Sequence, residues 1–473
     1  MRSFAAAAAT VSVAVAAAAM SVACGGSEQP ATGGPAVVPA DAAVYVSVQS
    51  DLDSAQWKQV EKLVLRFPDG PGAVERLHGD LGNGVNYEDD LEPALGPTVE
   101  LVWLDFRNDG EDVVALTQPD DEGKLRELAR KSEEPVVVDE VEGWSAVARS
   151  QAVIDRYRDA LDAGTLADDD RYDETTSELP TEALAQVYVD GERTTNALQS
   201  TLQERGAETG TLESGGRLDS GAAALEAADD GFRLTALFRT HGVPDEVTDV
   251  GALLGEVPAG AFAAVDFHGS RSTSEQLTPE RLGPYGRFGP ALRALSTLVE
   301  GEGVLYARPA GERTELTLLL APPDAKAAKG QLDLLAATLG EGNARQTTIA
   351  DVEATVVDVD EYSIVYAAFD DRLAVSTSPD GIRALREEDA LLVDEDRYRA
   401  ALDAAGVPDD EHVVAYADLH ELIPHFEDLV ASHAVVPVVP TPSRETEPLR
   451  SLVASTRTDG DETTARLFLE IRG

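Results

Sequence analysis

Apolar and polar residues alternate in four short stretches of the chain, each preceded by a turn that begins with proline. The first is Pro39–Asp41 followed by Val44–Val48, and the later ones begin at Pro180, Pro258 and Pro408. Proline fixes φ at the turn, and successive side chains of a strand point to opposite faces. The pattern therefore predicts four strands that start in the same way.

Helical periodicity predicts helices between these strands. Asp53 or Ser54 begins a helix that Pro68–Gly70 ends, because apolar residues recur at helical spacing between them. A second helix is predicted over Glu122–Lys131, and a third begins at Gln151 with apolar side chains on one face.

Two pairs of strands have the spacing and turn residues of hairpins. Val99–Phe106 and Val113–Thr117 flank a glycine-containing turn, and so do Val304–Arg308 and Glu315–Leu320. Strands joined mainly by hairpins, with helices on one side, are typical of α+β proteins. We therefore predict mainly antiparallel sheets with helices packed on them.

The chain also repeats itself at a longer period. The recurring pairs are Asp168–Tyr172 with Asp394–Tyr398, Pro180 with Pro408, and the turn Asp230-Gly231 with Asp459-Gly460. Recurrence of turns in the same order predicts a tandem duplication of two similar halves, residues 39–243 and 244–473.

The N-terminus has the order of a secretory signal. Arg2 supplies a positive charge, Ala5–Ala19 is an apolar run, and small residues follow. Residues 1–23 are therefore predicted to be a signal peptide. A permanent transmembrane helix is the alternative, since the apolar run is long. Gly25–Pro30 offers no positive flank that would stop transfer, which favours the signal peptide.

Ser21–Cys24 resembles a bacterial lipobox, although Ser21 stands where leucine is most common. The resemblance implies cleavage after Ala23 and a diacylglycerol thioether on Cys24, the only cysteine of the chain. Simple cleavage stays open, because Ser21–Ala23 has the small-x-small form. With a lipid on Cys24 the protein is expected on the outer, extracytoplasmic face of the cell membrane, where residues 24–38 form a flexible tether.

The charge of the chain excludes some partners. Thirty-eight Lys and Arg residues stand against 87 Asp and Glu residues, which gives a formal net charge of -49. This acidic protein repels phosphate backbones and anionic headgroups, so nucleic acid binding is not expected. A cationic partner or a divalent metal is compatible with the charge, as is solubility alone.

Pro39–Asp41 with its strand, Gln56-Trp57 and Phe67-Pro68 resemble an uncharacterised family of bacterial envelope proteins, known as a domain of unknown function. The later order of hairpin, helix, strands, acidic turn and proline-led strand fits as well. The resemblance implies a secreted or membrane-tethered protein, and it brings no known activity or catalytic residues.

Candidate catalytic and metal-binding motifs are weak. His420 and His425 are five residues apart with Pro424 between them, whereas a zinc-protease helix needs a spacing of four. Asp168–Asp170 and Asp394–Asp396 contain calcium-type ligands without the spacing of a calcium loop, so a helix N-cap is the simpler interpretation. We predict no catalytic residue, no cofactor and no metal.

Two long loops, residues 204–220 and 432–450, differ in composition between the predicted halves, and loops on a rigid scaffold often bind partners. Surface insertion without function is the alternative. The leading hypothesis is a non-catalytic, lipid-anchored envelope protein that acts as a binding or scaffold module for an unknown envelope partner. A carrier of an apolar ligand between sheet and helices is the second hypothesis, and a metal-dependent envelope hydrolase is the third.

Overall fold

A computed structural model describes residues 33–79, 85–132, 134–204, 217–241, 252–269, 301–311, 313–339, 344–359, 362–425 and 445–473. The chain divides into two compact units. Unit 1 comprises residues up to Val243 together with Thr458–Arg466 and Ile471–Gly473, and unit 2 comprises Pro244–Arg457 and Leu467–Glu470. Both units are α+β and their strand pairings are antiparallel.

The sheet of unit 1 is built around its first strand. Its strands are β1 (Val44–Gln49), β2 (Thr98–Trp103), β3 (Val113–Thr117), β4 (Val137–Val141), β5 (Trp144–Ala148), β6 (Ala185–Asp190), β7 (Arg217–Ala228) and β8 (Gly231–His241). Pairing gives the order β4-β5-β3-β2-β1-β6-β7-β8. The predicted hairpin of β2 and β3 is confirmed, and the first two proline-led strands, β1 and β6, are direct neighbours.

The helices of unit 1 are α1 (Ala55–Val64), α2 (Gly70–His78), α3 (Glu92–Leu95), α4 (Glu122–Lys131), α5 (Gln151–Leu161), α6 (Asp170–Thr176) and α7 (Gly191–Glu204). The Ser54 side chain accepts from the Trp57 N–H and caps α1, as predicted. Helix α4 has the predicted bounds because the Asp121 side chain caps its first turn. Helix α1 ends at Val64, earlier than the predicted stop at Pro68–Gly70. Gly70 begins α2 instead, since Pro71 suits a first helical turn.

The main core of unit 1 lies between one face of the sheet, which we call the core face, and α5 and α6. It includes Tyr45, Leu116, Ile154, Tyr157 and Tyr172. A second buried cluster, Val46, Val48 and Ala185, lies on the opposite face of the same strands.

The N-terminal boundary of the folded chain lies earlier than predicted. Pro35–Val37 form a 3-10 turn, Val38 is fully buried, and the Tyr157 hydroxyl donates to the Val37 carbonyl oxygen. Residues 33–38, which we call the arm, therefore belong to unit 1 and not to the tether predicted over 24–38. The small, uncharged side chains of the arm resemble a linker in composition, yet they pack against the core.

The sheet of unit 2 has the same kind of centre and a longer edge. Its strands are β9 (Ala263–Gly269), β10 (Gly301–Ala310), β11 (Arg313–Ala321), β12 (Ala344–Ile349), β13 (Val352–Val359), β14 (Tyr362–Phe369), β15 (Arg372–Ser376), β16 (His412–Asp418) and β17 (Leu449–Asp459). Pairing gives the order β12-β13-β14-β15-β11-β10-β9-β16-β17. The predicted second hairpin is β10 with β11, and β9 pairs with β16 as β1 pairs with β6.

The helices of unit 2 pack on both faces of its sheet, which corrects the expectation of helices on one side. They are α8 (Ala325–Leu339), α9 (Pro379–Glu387) and α10 (Asp396–Ala405). Tyr398 of α10 meets Tyr416 edge-on at 5.0 Å between ring centroids. Ala328, Leu332 and Ala336 of α8 pack with Tyr366 and its neighbours on the opposite face.

The last strand, β18 (Glu462–Ile471), carries residues of both units. Within unit 1, the Thr240 N–H donates to the Asp461 carbonyl oxygen at 2.9 Å, and the Ile471 N–H donates to that of Asp230 at 2.8 Å. The predicted boundary of 244–473 for the second half is therefore wrong for these terminal residues. Composition does not reveal that these terminal residues belong to unit 1. Their placement depends on backbone hydrogen bonds to β8 and to the turn that precedes it.

Candidate functional site

The predicted lipid site cannot be located in this structure. Ala23 and Cys24 lie outside the described residues, as do most of the two long loops. Only the ends of those loops are described, where residues 217–220 begin β7 and residues 449–450 begin β17. No helix in the described part of the chain is long and apolar enough to span a bilayer.

The acidic turns serve as helix starts. The Asp169 side chain accepts from the Arg171 N–H and caps α6, as the sequence predicts. In unit 2 the corresponding place is held by Glu395, whose side chain makes no cap bond to its own helix. It accepts instead from the Gly260 N–H at 2.6 Å and from Arg397 Nε at 2.6 Å. Over the ranges described above, no three His, Cys, Asp or Glu side chains converge as a metal site.

An open cleft of about 630 Å³ surrounds this turn in unit 2. Its lining residues are Gly260, Pro309, Asp394, Glu395, Asp396, Arg397 and Glu421. Arg397 Nη1 lies 3.3 Å from Glu421 Oε2, and Arg399 Nη2 lies 2.8 Å from Asp394 Oδ1. Arginine side chains thus already neutralise carboxylates of the cleft, which makes the turn a structural ion-pair network.

The candidate histidines have separate surroundings. The His425 ring stacks on Phe262 with 5.0 Å between centroids and an angle of 4°. His420 and His412 are exposed, and His433 lies outside the described residues. The sequence pattern around Pro424 therefore does not build a zinc site from His420 and His425.

A surface that the sequence analysis missed is the face of each sheet opposite the core face, which we call the uncharged face. In unit 1 its central row, joined by direct cross-strand pairing, is Val138, Val147, Ala115, Leu101, Val46, Val187, Ala223 and Ala236. The rows beside it are also free of charge from β3 to β8. Because charged residues make up 26% of the chain, their absence from three adjacent rows is a strong pattern.

Unit 2 has an uncharged face of the same kind. Its central row is Tyr366, Val375, Leu318, Leu305, Val265, Ala415 and Ala454. Helix α8 covers the end of this face near Tyr366. On the middle strands Val265 is 49% exposed, its direct partner Leu305 is 45% exposed, and Leu316 on the next strand is 41% exposed. We call these three residues the 265/305/316 patch.

The patch has a sequence signal that can be recognised afterwards. Strands such as Leu316–Ala321 are apolar at nearly every position, as strands covered on both faces usually are. Alternation predicts which residues share a face, and it does not say which face is left open.

Comparisons with known proteins add little. No family model and no curated protein matches this chain. Two solved structures, crystal forms IV and I of TP0453, are 10% and 9% identical, with TM-scores of 0.26 and 0.23. Each match covers 46% of this chain and 92% or 81% of the other. Scores of this size support no conclusion about the fold or function of this chain.

Proposed function

We propose that this chain is a non-catalytic, lipid-anchored cell-envelope protein that binds an envelope partner through the 265/305/316 patch of unit 2. The observation that carries the proposal is the exposure of Val265, Leu305 and Leu316 side by side on a face without charges. Exposed apolar residues that cluster on one surface often mark an interaction site.

The chemistry of the patch indicates what the partner offers. The centre of the patch can exchange only apolar contacts, since its side chains have no hydrogen-bonding groups. Around it lies a chain with a net charge of -49, so a basic rim on the partner would speed the encounter and orient it. We therefore propose a protein partner with an apolar contact centre and basic residues around it.

The anchor rests on the N-terminal sequence. A lone cysteine after Ser21–Ala23 supports lipid attachment at Cys24 with cleavage after Ala23. Intact mass and detergent-phase partitioning of the native protein, beside a Cys24→Ala variant, test it. We expect an acyl mass and detergent partitioning for the native protein only. A soluble native protein with an unmodified Cys24 would contradict the anchor.

The other two hypotheses have less support. A carrier would hold its ligand between sheet and helix, yet Leu332 and Ala336 of α8 pack directly on the sheet of unit 2. A hydrolase that uses a metal would need convergent ligands, whereas His425 stacks on Phe262 and His420 is exposed.

We also propose that the two units are copies of one ancestral half. Isolated bridges join Pro39 to Thr165 and Pro258 to Leu391 at the same place in each unit. Tyr172 meets Tyr188 at 5.1 Å and 74°, as Tyr398 meets Tyr416 at 5.0 Å and 69°. The Asp190 N–H bonds the Ala43 carbonyl oxygen at 3.1 Å, and the Asp418 N–H bonds that of Phe262 at 2.7 Å. These matched contacts support duplication.

The patch is tested by photo-crosslinking in cells. A photoreactive residue replaces Leu305 in the full-length, membrane-targeted protein, and a matched variant carries it at Leu334, which is 72% exposed on α8. We expect a discrete crosslinked protein from position 305 and none from position 334. A Leu316→Asp substitution in the position-305 variant should abolish that product, because a charge beside the crosslinker opposes apolar contact.

Two outcomes would contradict the proposed binding role of the patch. One is the same crosslinked product from positions 305 and 334, which would indicate random collision. The other is a product from position 305 that survives Leu316→Asp unchanged. Crosslinking to lipid in place of protein would transfer support to the carrier hypothesis.

A further inference from the structure

The arm of residues 33–38 covers a buried carboxyl group in unit 1. Glu100 on the core face of β2 is fully buried, and the Tyr45 hydroxyl donates to its Oε2 at 2.9 Å. A β-carbon on Gly34 would lie 3.0 Å from Glu100 Oε1 and 2.6 Å from the Tyr45 hydroxyl. Gly34 therefore covers the carboxyl and the hydroxyl so closely that there is no room for a side chain at this position.

Several contacts hold the arm in this position. The Leu166 N–H donates to the Val38 carbonyl oxygen at 2.8 Å, and the Ala40 N–H donates to that of Gly164 at 3.0 Å. The hydroxyl of Tyr157 on α5 donates to the Val37 carbonyl oxygen. The arm itself has no charged side chain that could pair with Glu100.

The titratable groups that face Glu100 from the packed elements are tyrosines, and the uncharged Ser47 and Thr98 side chains also hydrogen-bond it. Burial, followed by the nearby charge of Glu100, raises the pKa of Tyr45 on β1 and of Tyr157 on α5 far above the ordinary value. The same two causes raise the pKa of Tyr172 on α6 to about 12. None of these hydroxyls therefore ionises near neutral pH, and none supplies a positive charge to balance a carboxylate.

The pair of Glu100 and Tyr45 has no counterpart at the matched positions of unit 2. Backbone bonds from Ala43 to Trp103 and from Phe262 to Ala307 align the central strands of the two units. In that alignment Val304 takes the place of Glu100, and Ala264 takes that of Tyr45. Unit 2 buries Asp266 opposite Val304 instead, so the fold does not require a carboxyl group at the position of Glu100 itself.

We propose that Glu100 is a protonation-dependent latch: the arm stays packed on unit 1 while the carboxyl is neutral and detaches when the carboxylate forms. The inference goes beyond the proposed function, because arm docking does not depend on the patch or on the lipid. The latch makes the packing of the arm, which follows the predicted anchor in sequence, depend on the pH of the surroundings.

The sign follows from linkage. Burial raises the pKa of Glu100 in the docked state, against the opposing effect of hydrogen bonds from the Tyr45, Ser47 and Thr98 side chains. Detachment of the arm exposes the carboxyl to water, where the ordinary glutamate pKa is about 4.3. The equilibrium constant for arm docking is therefore largest below about pH 4.3. Above that pH it falls about tenfold per pH unit until the pH reaches the pKa of Glu100 in the docked state.

Hydrogen exchange of the full mature chain tests the latch. The amides of Ala40 and Leu166 report arm docking, and amides in the centre of β2 report global unfolding. After correction for intrinsic exchange, we expect arm protection in the wild type to fall about tenfold or more between pH 5 and pH 8. Glu100→Gln should show no such fall. Glu182→Gln, which removes an exposed carboxyl of unit 1, should follow the wild type.

A second variant guards against a fold defect in Glu100→Gln. Tyr45→Phe removes the largest of the hydrogen-bond effects that oppose burial, so the fall in arm protection should extend to higher pH. The latch is wrong if Glu100→Gln keeps the wild-type pH profile, or if Tyr45→Phe leaves it unchanged. Parallel loss of protection in the arm and in the centre of β2 would also overturn it, since that pattern indicates global unfolding alone.

Discussion

The central strands of the two units share a register and differ in what covers them. Val46 comes three residues after Ala43, whose N–H bonds β2, and Val265 comes three residues after Phe262, whose N–H bonds β10. The two valines are therefore at matched positions. Val46 is 2% exposed, whereas Val265 is 49% exposed. The core faces differ in which strand carries a buried carboxyl, because unit 1 buries Glu100 of β2 opposite Ser47, whereas unit 2 buries Asp266 of β9 opposite Val304.

This contrast teaches where to look for function. Backbone pairing and the tyrosine contacts are nearly the same in both units, so they explain the fold and not a specific role. Function is better sought where matched positions differ, at the 265/305/316 patch and at Glu100. Three predictions test the contrast.

The largest effect is expected from a charge placed on the uncharged face. Val46→Asp should lower the free energy of unfolding by about 3 kcal/mol or more, because the carboxylate is buried without a partner. Val265→Asp should cost less than about 1 kcal/mol, since the side chain can reach water. Urea midpoints at constant m value measure both. Equal costs would break the contrast, because they would mean that the face is covered in both units.

An intermediate effect is expected in α9. Gly381 stands three residues after the cap Ser378, as Val153 stands three after Ser150 in α5. A β-carbon at position 381 would lie 2.2 Å from Ser376 Oγ and 2.6 Å from Thr317 Oγ1. Gly381→Ala should therefore cost about 1–3 kcal/mol through overpacking.

The control for this substitution is Gly330 in α8, where a β-carbon would meet nothing within 4 Å. Gly330→Ala should stabilise the protein by roughly 0.5–1 kcal/mol, because alanine favours the helix. A neutral Gly381→Ala, measured by thermal unfolding beside this control, would show that α9 can move away from β15.

The smallest effect concerns surface ion pairs made by two matched arginines, Arg158 and Arg386, each eight residues after a serine cap. Arg158 Nη2 lies 2.6 Å from Asp139 Oδ2, and in unit 2 Arg386 pairs with Asp370. The hydrogen bond from Arg158 is the main cause that lowers the pKa of Asp139 to about 2. Because the folded pKa is depressed, any stabilisation is present above the ordinary value of about 3.9 and is lost as pH falls through about 2.

Carboxyl NMR titration checks this value. We expect an Asp139 pKa of about 2 in the wild type and a rise toward the ordinary value of about 3.9 in Arg158→Gln. An unchanged pKa in that variant would assign the shift to Gln151, whose amide also donates to Asp139.

Local signals in the sequence predicted local structure well. Helix α4 begins and ends at the predicted residues, and the structure shows that Asp121 caps its first turn and that Leu125 lies on its buried side. The hairpin pairings follow from strand alternation and turn glycines. The pairing of β1 with β6 was not predicted from local pattern, since it joins segments far apart in sequence.

Features that depend on distant partners were missed. The arm has the composition of a linker, and its burial depends on Tyr157 and Glu100, which lie far along the chain. The patch was missed for a similar reason. Residues such as Leu305 look like ordinary core residues until the cover of each face is known.

Because the fold already begins at Gly33, the segment between the predicted anchor and unit 1 is short. Only nine residue steps separate Cys24 from Gly33, which span about 30 Å even when fully extended. If Cys24 carries the lipid, unit 1 therefore stays within a distance of the bilayer about equal to its own width. The protein would then search for partners along the membrane surface, and only molecules that rise from or rest on that layer would meet it often.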